Sequence, residues 1–327
     1  MKKCMGCMRD YDEKLPACPV CGYSEDQIKL DTENMPESIP PETILYSRYI
    51  IGRVLSMTDY SVIYLGWDAL LLKRVAIREY FPLTLAVRGE DRVSVRLTQP
   101  KAGAGFDAGK AAFIEEGKKL WKNQDLIETV HIFRIVVENG TAYQIMEYLE
   151  GITLQDYLEE NGDAAGQENA SVIFSGIVQA VNQIHQRGII HGNLSPENIY
   201  VDDEFHALLI DFGLAKQEIL KVTRGQVNLF DPRYTAPEVL EGKEADVAAD
   251  LYSLGAIQYR LLSAKEPPLS LAKGKKKLVF DKKGAVGAGQ KENIRLLMSK
   301  DPARRKTVIL PLAVPDETVT DPRKPLM

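Results

Sequence analysis

Short apolar runs separated by turn residues fill the chain between positions 45 and 149. They read RYIIGRVL at 48–55, SVIYLGWD at 61–68 and KRVAIREY at 73–80. Such β-branched and aromatic runs are typical of strands. The stretch HIFRIVVENGTAYQIMEYL at 131–149 adds a hairpin, because Asn139-Gly140 is a strong signal for a tight turn. This part of the chain is therefore predicted to be rich in β-structure.

Helical spacing appears once within this region and dominates after it. In AAFIEEGKKLWKN at 111–123, the apolar residues Phe113, Leu120 and Trp121 recur on a helical period. Further on, the pattern predicts one helix in TLQDYLEE at 153–160 and another in VIFSGIVQAVNQIHQRG at 172–188, ended by a glycine. The predicted class is α+β: a small β-rich lobe with one main helix, followed by a larger α-helical lobe.

Composition narrows the function classes. The chain has 327 residues, 45% of them hydrophobic and 27% charged, and a formal net charge of −5. This balance gives no reason to expect nucleic-acid binding. No apolar run is long enough to span a bilayer. The start, MKKCMGCMRD, lacks the apolar stretch of a signal peptide, so a cytoplasmic location is the default expectation.

All four cysteines lie within the first 21 residues. Cys4 and Cys7 form one C-x-x-C pair, and Cys18 and Cys21 form another. Each pair can form a knuckle that directs two thiolates at one ion, and four thiolates suit a closed structural zinc site. Two disulfides would require an oxidising compartment. An iron site uses the same ligands, and spacing alone leaves it open. Residues 1–30 are therefore predicted to form a zinc ribbon.

Residues 31–43, DTENMPESIPPET, are rich in proline and acidic residues. They contain little to bury, so a partly extended linker is predicted here. The second folded domain is expected to begin at Ile44.

Three later blocks carry a resemblance to a known family. They read HGNLSPENIY at 191–200, LLIDFGLA at 208–215 and YTAPEVL at 234–240. In this order they resemble the catalytic loop, the metal-binding loop and the end of the activation segment of a protein kinase. With VAIREYFP at 75–82 and FIEEG at 113–117, the chain is similar to bacterial Ser/Thr kinases that carry an N-terminal zinc ribbon.

The resemblance covers about residues 47–307 and implies a bilobal kinase-like domain at 44–310. Its N-lobe would span 44–149, its C-lobe 150–310, and a tail would occupy 311–327. In the C-lobe, the resemblance places His191 and Phe212 in an internal apolar spine, together with Leu120 of the N-lobe. It also implies that Asp250 anchors the catalytic loop.

Several positions depart from the family pattern. Asn193 stands where a kinase has the aspartate that accepts the substrate proton, and an amide cannot act as that base. Arg78 replaces the phosphate-binding lysine, and Glu116 aligns with its glutamate partner. An Arg78–Glu116 pair is expected to hold the helix structurally. The three glycine places of the phosphate loop hold Ser56, Thr58 and Ser61, which favours a polar hairpin turn over tight ATP binding.

Other nucleotide-site positions are retained. Those implied by the resemblance are Ile63, Ala76, Met146, Glu147, Leu149 and Tyr200 for adenine, and Asn198 and Asp211 for magnesium. The alternative is that the apolar residues of the adenine group are only part of the hydrophobic core and that Asn198 and Asp211 make only local hydrogen bonds. Mg-ATP is therefore a doubtful cofactor.

Further changes and retentions concern the loop's surroundings. The arginine that reads activation-segment phosphorylation is replaced by Gly192, and Asp231 is expected to face Asn193. Glu238 and Arg305 match a buried ion pair of the large lobe.

Retained scaffold and lost chemistry predict a pseudokinase that acts as a scaffold or allosteric regulator in bacterial signalling. Its partner would be a protein, such as an active kinase or another signalling protein. The alternatives are a weak or atypical Ser/Thr kinase and a non-catalytic nucleotide sensor. Six lysines between positions 273 and 283 suggest a solvated basic loop, with an anionic partner as the lesser alternative. The terminal helix of a full kinase lobe is expected to be absent.

Overall fold

The computed structural model describes residues 1–202, 205–269, 278–280 and 286–308, with the backbone alone for 162–168. Two units are distinguished by their internal contacts. The first contains residues 1–122 and 131–149, and the second contains residues 123–130 and the described residues from 150 onwards.

An antiparallel sheet organises the first unit, and the strands predicted from the sequence are confirmed. Its strands are β3 (Ile44–Leu45), β4 (Tyr49–Met57), β5 (Ser61–Asp68), β6 (Lys73–Tyr80), β9 (Ile132–Glu138) and β10 (Thr141–Glu147), following β1 (Lys2–Lys3) and β2 (Asp10–Tyr11) of the N-terminus. The order across the described sheet is β3-β4-β5-β6-β10-β9. A separate two-stranded ribbon is formed by β7 (Ala86–Arg88) and β8 (Val95–Leu97).

The β9–β10 connection is the predicted hairpin. Asn139 and Gly140 have φ values of 56° and 81°, the left-handed pair that a two-residue turn of this type requires. Thr141 lies opposite Glu138 in the register.

One long helix accompanies this sheet. Helix α2 (Gly103–Lys122) buries Phe113 and Leu120, as predicted. Trp121, however, is 54% exposed. It follows Leu120 by a single residue, which turns it about 100° around the helix and away from the buried stripe.

The predicted linker at 31–43 is wrong in its conformation. Helix α1 (Glu25–Asn34) runs four residues into it, capped by the Ser24 side chain. Ile39 is then 1% exposed, and its N–H donates to the Tyr64 hydroxyl at 3.0 Å. One buried apolar residue and these backbone contacts hold the segment against the sheet, although its composition resembles that of a linker.

The second unit is mainly helical. Its elements are β11 (Ile152–Thr153), α3 (Leu154–Gln186), β12 (Ile199–Val201), β13 (Ala207–Leu209), α4 (Leu214–Val222), α5 (Pro237–Leu240), α6 (Val247–Ser263), α7 (Ala288–Leu297) and α8 (Pro302–Arg305). The two helices predicted between 153 and 188 are one continuous helix, α3, which begins with a capping box at Thr153. Gly188 follows its end with φ 68°, as the glycine signal predicted.

Buried polar contacts hold the second unit together where the sequence predicted them. Arg305 is fully buried, and its Nη2 donates to Glu238 Oε2 at 2.8 Å. The Arg305 Nη1 also donates to the backbone oxygen of Ala248 on α6 at 3.0 Å. This arginine therefore ties α8 to α5 and α6.

Two expectations lie outside the described residues. These are the lysines between 273 and 283 and the tail at 311–327 with its missing terminal helix. Among the helices that the structure describes, none has the length and apolarity needed to cross a membrane.

Candidate functional site

The four cysteines belong to the first unit. The four Sγ atoms of Cys4, Cys7, Cys18 and Cys21 all lie within 4.8 Å of one another. The Cys4–Cys21 distance is 3.5 Å and the Cys7–Cys18 distance is 3.8 Å. These separations exceed the S–S bond of about 2.05 Å. A zinc ion with Zn–S bonds of about 2.3 Å gives tetrahedral edges of about 3.8 Å, so the four thiols fit a single ion.

The thiols differ in how readily they ionise. Burial tends to raise the pKa of Cys18, but N–H donors from Cys21 and Val20 outweigh it and hold the pKa at about 7. Burial raises the pKa of Cys4 well above its ordinary value. A cation among them would favour all four thiolates, because metal binding displaces thiol protons.

The first knuckle packs on the sheet. Met5, Met8 and Leu65 form a buried cluster, against which Trp67 and Tyr148 pack. The backbone oxygen of Met5 accepts the Arg53 N–H at 2.9 Å. Gly52 allows this approach, since a Cβ there would lie 2.3 Å from Met8 Cε. The cysteine module and strand β4 are therefore one packed structure.

Arg78 makes several buried polar contacts within the first unit. Its Nη1 donates to Glu116 Oε1 at 2.8 Å and to Gln144 Oε1 at 3.1 Å. Its Nη2 contacts the Tyr60 hydroxyl, and its guanidinium carbon lies 4.9 Å from the centre of the Phe113 ring. The side chain is 4% exposed. The guanidinium thus pairs with Glu116 and is held inside the unit on several sides.

The β4–β5 turn is tied down by local hydrogen bonds. The Thr58 hydroxyl accepts the Ser61 N–H at 3.2 Å and lies 3.1 Å from the Ser61 hydroxyl. Tyr60 is fully buried, and its backbone oxygen accepts the Phe81 N–H at 2.9 Å. This is the polar hairpin that the sequence favoured. Tyr60 was not among the residues identified from the sequence. Its buried side chain adds bulk to the turn, where the phosphate loop of a kinase has glycines.

Five of the six residues that the resemblance implied for adenine belong to the first unit, and Tyr200 belongs to the second. In the first, Ile63 pairs with Arg78 across β5 and β6, and Ala76 pairs with Met146 across β6 and β10. Ala76 and Met146 are buried. Glu147 is the last residue of β10, and its Oε1 accepts the His131 N–H at 2.9 Å. Leu149 is the last residue of the first unit. Tyr200 belongs to the second unit, on β12, opposite Leu208.

The loop 191–198 is anchored from α6. Asp250 accepts the N–H of His191 at 2.9 Å and that of Gly192 at 2.7 Å, and it also meets His185 Nε2 at 2.8 Å. His191 stacks on Phe212 with ring centres 4.3 Å apart. Burial lowers the pKa of His191 to about 4. The imidazole is therefore neutral at pH 7, and Asp250 fixes the loop as the resemblance implied.

Asn193 and Asp211 are in direct contact. The Asn193 Nδ2 donates to the backbone oxygen of Asp211 at 2.9 Å and to its carboxylate Oδ2 at 3.0 Å. Asn198 Nδ2 in turn donates to the backbone oxygen of Asn193 at 2.7 Å. The three predicted residues of the second unit therefore come together in one hydrogen-bonded group.

A fourth side chain joins this group from α4. The Lys216 Nζ lies 3.3 Å from Asn193 Oδ1 and 3.8 Å from Asp211 Oδ2. The lysine side chain is 11% exposed. Sequence reasoning did not identify this residue, because its position depends on α4 beginning directly after the Asp211 loop.

The expected arrangement of Asp231 facing Asn193 is not found among the contacts that the structure describes. Asp231 pairs with Arg233 at 2.6 Å, whereas Asn193 meets Lys216 and Asp211. The side chain of Gln217 lies where a Cβ on Gly192 would point, 2.5 Å from it.

Comparison with known proteins gives the family. Residues 107–307, more than half of the chain, match the model of the protein kinase domain. The chain belongs to the protein kinase family. The structure also matches the solved structure titled PpkA-294 apo form with a TM-score of 0.71 and 26% identity, covering 82% of this chain and 95% of that one. The predicted kinase-like fold, with a β-sheet lobe and a helical lobe, is confirmed.

Named relatives of the family include bacterial and plant enzymes. The Ser/Thr kinase PknB of Mycolicibacterium smegmatis is 29% identical over 68% of this chain and 33% of its own length. A probable PknB of Bifidobacterium longum is 32% identical over 69% of this chain and 32% of its own. The Ser/Thr kinase AtPK1/AtPK6 of Arabidopsis thaliana is 39% identical over 43% of this chain and 30% of its own. The matched segment spans about a third of each of these relatives.

Magnesium fits this kinase loop poorly as it stands. Mg²⁺ prefers oxygen ligands at about 2.0–2.1 Å in an octahedron. An ion bound to Asp211 Oδ2 would lie within about 6 Å of the Lys216 ammonium and beside the amide hydrogens of Asn193. Those hydrogens and that ammonium already contact Oδ2, which is one of the two carboxylate oxygens that a metal at Asp211 could use.

Proposed function

We propose that this protein-kinase family member is catalytically impaired and acts through protein contacts as a scaffold or allosteric regulator. The observation that carries the proposal is the Asn193 amide, which donates to Asp211 from the position of the proton-accepting aspartate. An amide has no carboxylate to take the substrate hydroxyl proton.

The first unit supports the same proposal. Arg78 binds Glu116, Gln144 and Tyr60 within its own unit, so its charge is used in holding α2 to the sheet. The β4–β5 turn contains Tyr60 and two hydroxyl side chains where phosphates would need close backbone approach. The lysine and the glycines of an active kinase are thus replaced by residues that stabilise the lobe.

Phosphotransfer is the direct test. The full chain is incubated with radiolabelled ATP, magnesium or manganese, and a basic acceptor protein, and incorporation into the acceptor and into the chain itself is measured. We expect no incorporation above that of Asp211→Ala. Incorporation that Asp211→Ala abolishes would overturn the proposal and favour the alternative of a weak or atypical kinase. That alternative is motivated by the retention of Asn198 and Asp211.

A non-catalytic nucleotide sensor is the second alternative. It is motivated by the buried cross-strand pair of Ala76 and Met146, which keeps the small and apolar side chains that an adenine ring requires. Saturable stabilisation by ATP without phosphotransfer would favour it.

The cysteine module is proposed to hold one structural zinc ion through Cys4, Cys7, Cys18 and Cys21. The sulfur separations support one tetrahedral ion. The protein partner is proposed to be an active kinase or another signalling protein in the cytoplasm. Co-purification of bound proteins, followed by binding measurements with purified kinases, would test this assignment of the partner.

A further inference from the structure

The surroundings of Asp211 contain a cation that comes from another element. The loop 191–198 reads HGNLSPEN and includes no lysine or arginine. Lys216 is the third residue of α4, which begins at Leu214 directly after the loop. Side chains in a helix lean toward its N-terminus, so a residue in the first turn reaches back over Gly213 toward Asp211.

The helix itself does not favour a lysine there. The N-terminal end of a helix carries partial positive charge, which makes a cation in the first turn unfavourable. Lys216 is also largely buried, at 11% side-chain exposure. Burying an ammonium requires a compensating partner. Asp211 Oδ2 at 3.8 Å and Asn193 Oδ1 at 3.3 Å supply that compensation.

The same contacts satisfy Asp211. Its carboxylate is 7% exposed, so it too requires a counter-charge. Asn193 makes the arrangement consistent, because its Nδ2 donates to Asp211 while its Oδ1 meets the ammonium. A carboxylate at position 193 would instead place a second negative charge at about the 3.0 Å that now separates Nδ2 from Oδ2.

We propose that Lys216 is the resident cation of this loop and neutralises Asp211 in place of a divalent metal. Nucleotide binding to this chain is then independent of magnesium, and the ligand class is a nucleotide polyphosphate without bound metal. The proposal rests on the nucleotide-sensor alternative given above only in assigning Asp211 to a nucleotide site. Its test measures binding, so it stands or falls separately from phosphotransfer.

Calorimetric titration with ATP tests the proposal, using the full chain with its cysteine site loaded. Titrations are run with 10 mM MgCl₂ and with NaCl of equal ionic strength, since a chelator would also strip the cysteine cluster. For the wild type we expect binding whose Kd differs by no more than twofold between the two buffers. Lys216→Met removes the ammonium and should give binding that magnesium tightens at least tenfold.

Matched variants identify the cause. Lys216→Arg keeps the charge and should remain insensitive to magnesium. Lys221→Met removes an exposed lysine of the same helix, paired with Glu218, and should behave as the wild type. If Lys216→Met does not fold, Lys216→Gln takes its place.

Absence of wild-type binding in both buffers would overturn the assigned ligand class. Two further results would overturn the role of Lys216. One is wild-type binding that magnesium tightens tenfold and that Asp211→Asn makes insensitive to magnesium. The other is a folded Lys216→Met or Lys216→Gln whose affinity does not respond to magnesium. Phosphotransfer by the wild type would overturn the proposed function, whereas these two results concern Lys216 alone.

Discussion

Asn193 changes the electrostatics of the loop as well as its chemistry. A hydrogen bond of 3.0 Å to Asp211 Oδ2 is possible because an amide offers N–H donors, which an ionised carboxylate lacks. The residue therefore converts two neighbouring acidic positions into a donor–acceptor pair. Restoring aspartate at 193 would reinstate the charge repulsion and would leave Arg78 and the β4–β5 turn unchanged.

We accordingly predict that Asn193→Asp destabilises the protein without restoring phosphotransfer. Two carboxylates in contact share protons, so the folded state binds protons more tightly than the unfolded state and stability falls as pH rises. The expected loss is about 1–2 kcal/mol at pH 8 and smaller at pH 5. Urea unfolding at both pH values measures it. Asn193→Ala removes the amide without adding charge and should show a loss that is equal at the two pH values.

His191 gives a second prediction at this scale. Burial lowers its pKa from 6.5 to about 4, so the unfolded chain binds a proton at higher pH than the folded one. Stability contributed by the neutral imidazole is complete above pH 6.5 and is lost as pH falls toward 4. The loss is about 3 kcal/mol for a shift of this size. Unfolding free energies from pH 7 to 4 should fall less steeply in His191→Gln, and equal slopes would contradict the prediction.

At the scale of elements, helix α2 is joined to the sheet by a buried ion pair. Glu116 is 3% exposed and joins the helix to β6 through Arg78. The neighbouring Glu115 is exposed and pairs with Lys118. Two adjacent glutamates of one helix thus have very different surroundings.

Glu116→Ala should therefore cost about 3–5 kcal/mol, because it leaves the buried guanidinium of Arg78 without its carboxylate. Glu115→Ala should cost less than about 1 kcal/mol, as is usual for a solvated pair. Chemical denaturation of the two variants gives the comparison. Similar losses in both would show that the buried pair does not hold the helix.

How far the sequence predicted these elements follows from the range of the interactions involved. The Asn139-Gly140 turn and the bounds of β5 and β6 depend on neighbouring residues, and the sequence predicted them. The segment 31–43 is decided by Ile39 meeting Tyr64, a contact across 25 positions that composition does not reveal. Lys216 was missed for the same reason, since its partner Asn193 is 23 positions away. The family motifs in the sequence pointed to Asn193, Asn198 and Asp211. The Lys216 ammonium that contacts this group could be recognised only from the folded structure.

For the whole molecule, the cysteine module is part of the kinase-like sheet's packing. Met8 is 1% exposed and Met5 5% exposed, and both pack on Leu65 of β5. Lys3 lies 3.7 Å from the centre of the Trp67 ring, and Arg53 Nε donates to the backbone oxygen of Gly6 at 3.0 Å. Metal binding at the cysteines and the stability of the first unit are therefore expected to be coupled.

Removal of the metal tests this coupling. Without an ion, the two C-x-x-C segments are no longer crosslinked, and Met5 and Met8 are expected to lose their packing against Leu65 of the sheet. Burial of such side chains is worth about 1.5–3 kcal/mol each, so we expect the Tm to fall by about 10 °C on chelation. Elemental analysis should give one zinc per chain, and added zinc should restore the Tm. The double variant Cys7→Ser/Cys21→Ser should have the lower Tm from the start, and the chelator should not change it.

Finding iron instead of zinc would correct the identity of the metal. A Tm that is lowered by reductant and unaffected by chelator would identify disulfides. A Tm that ignores both would show that the module does not support the sheet.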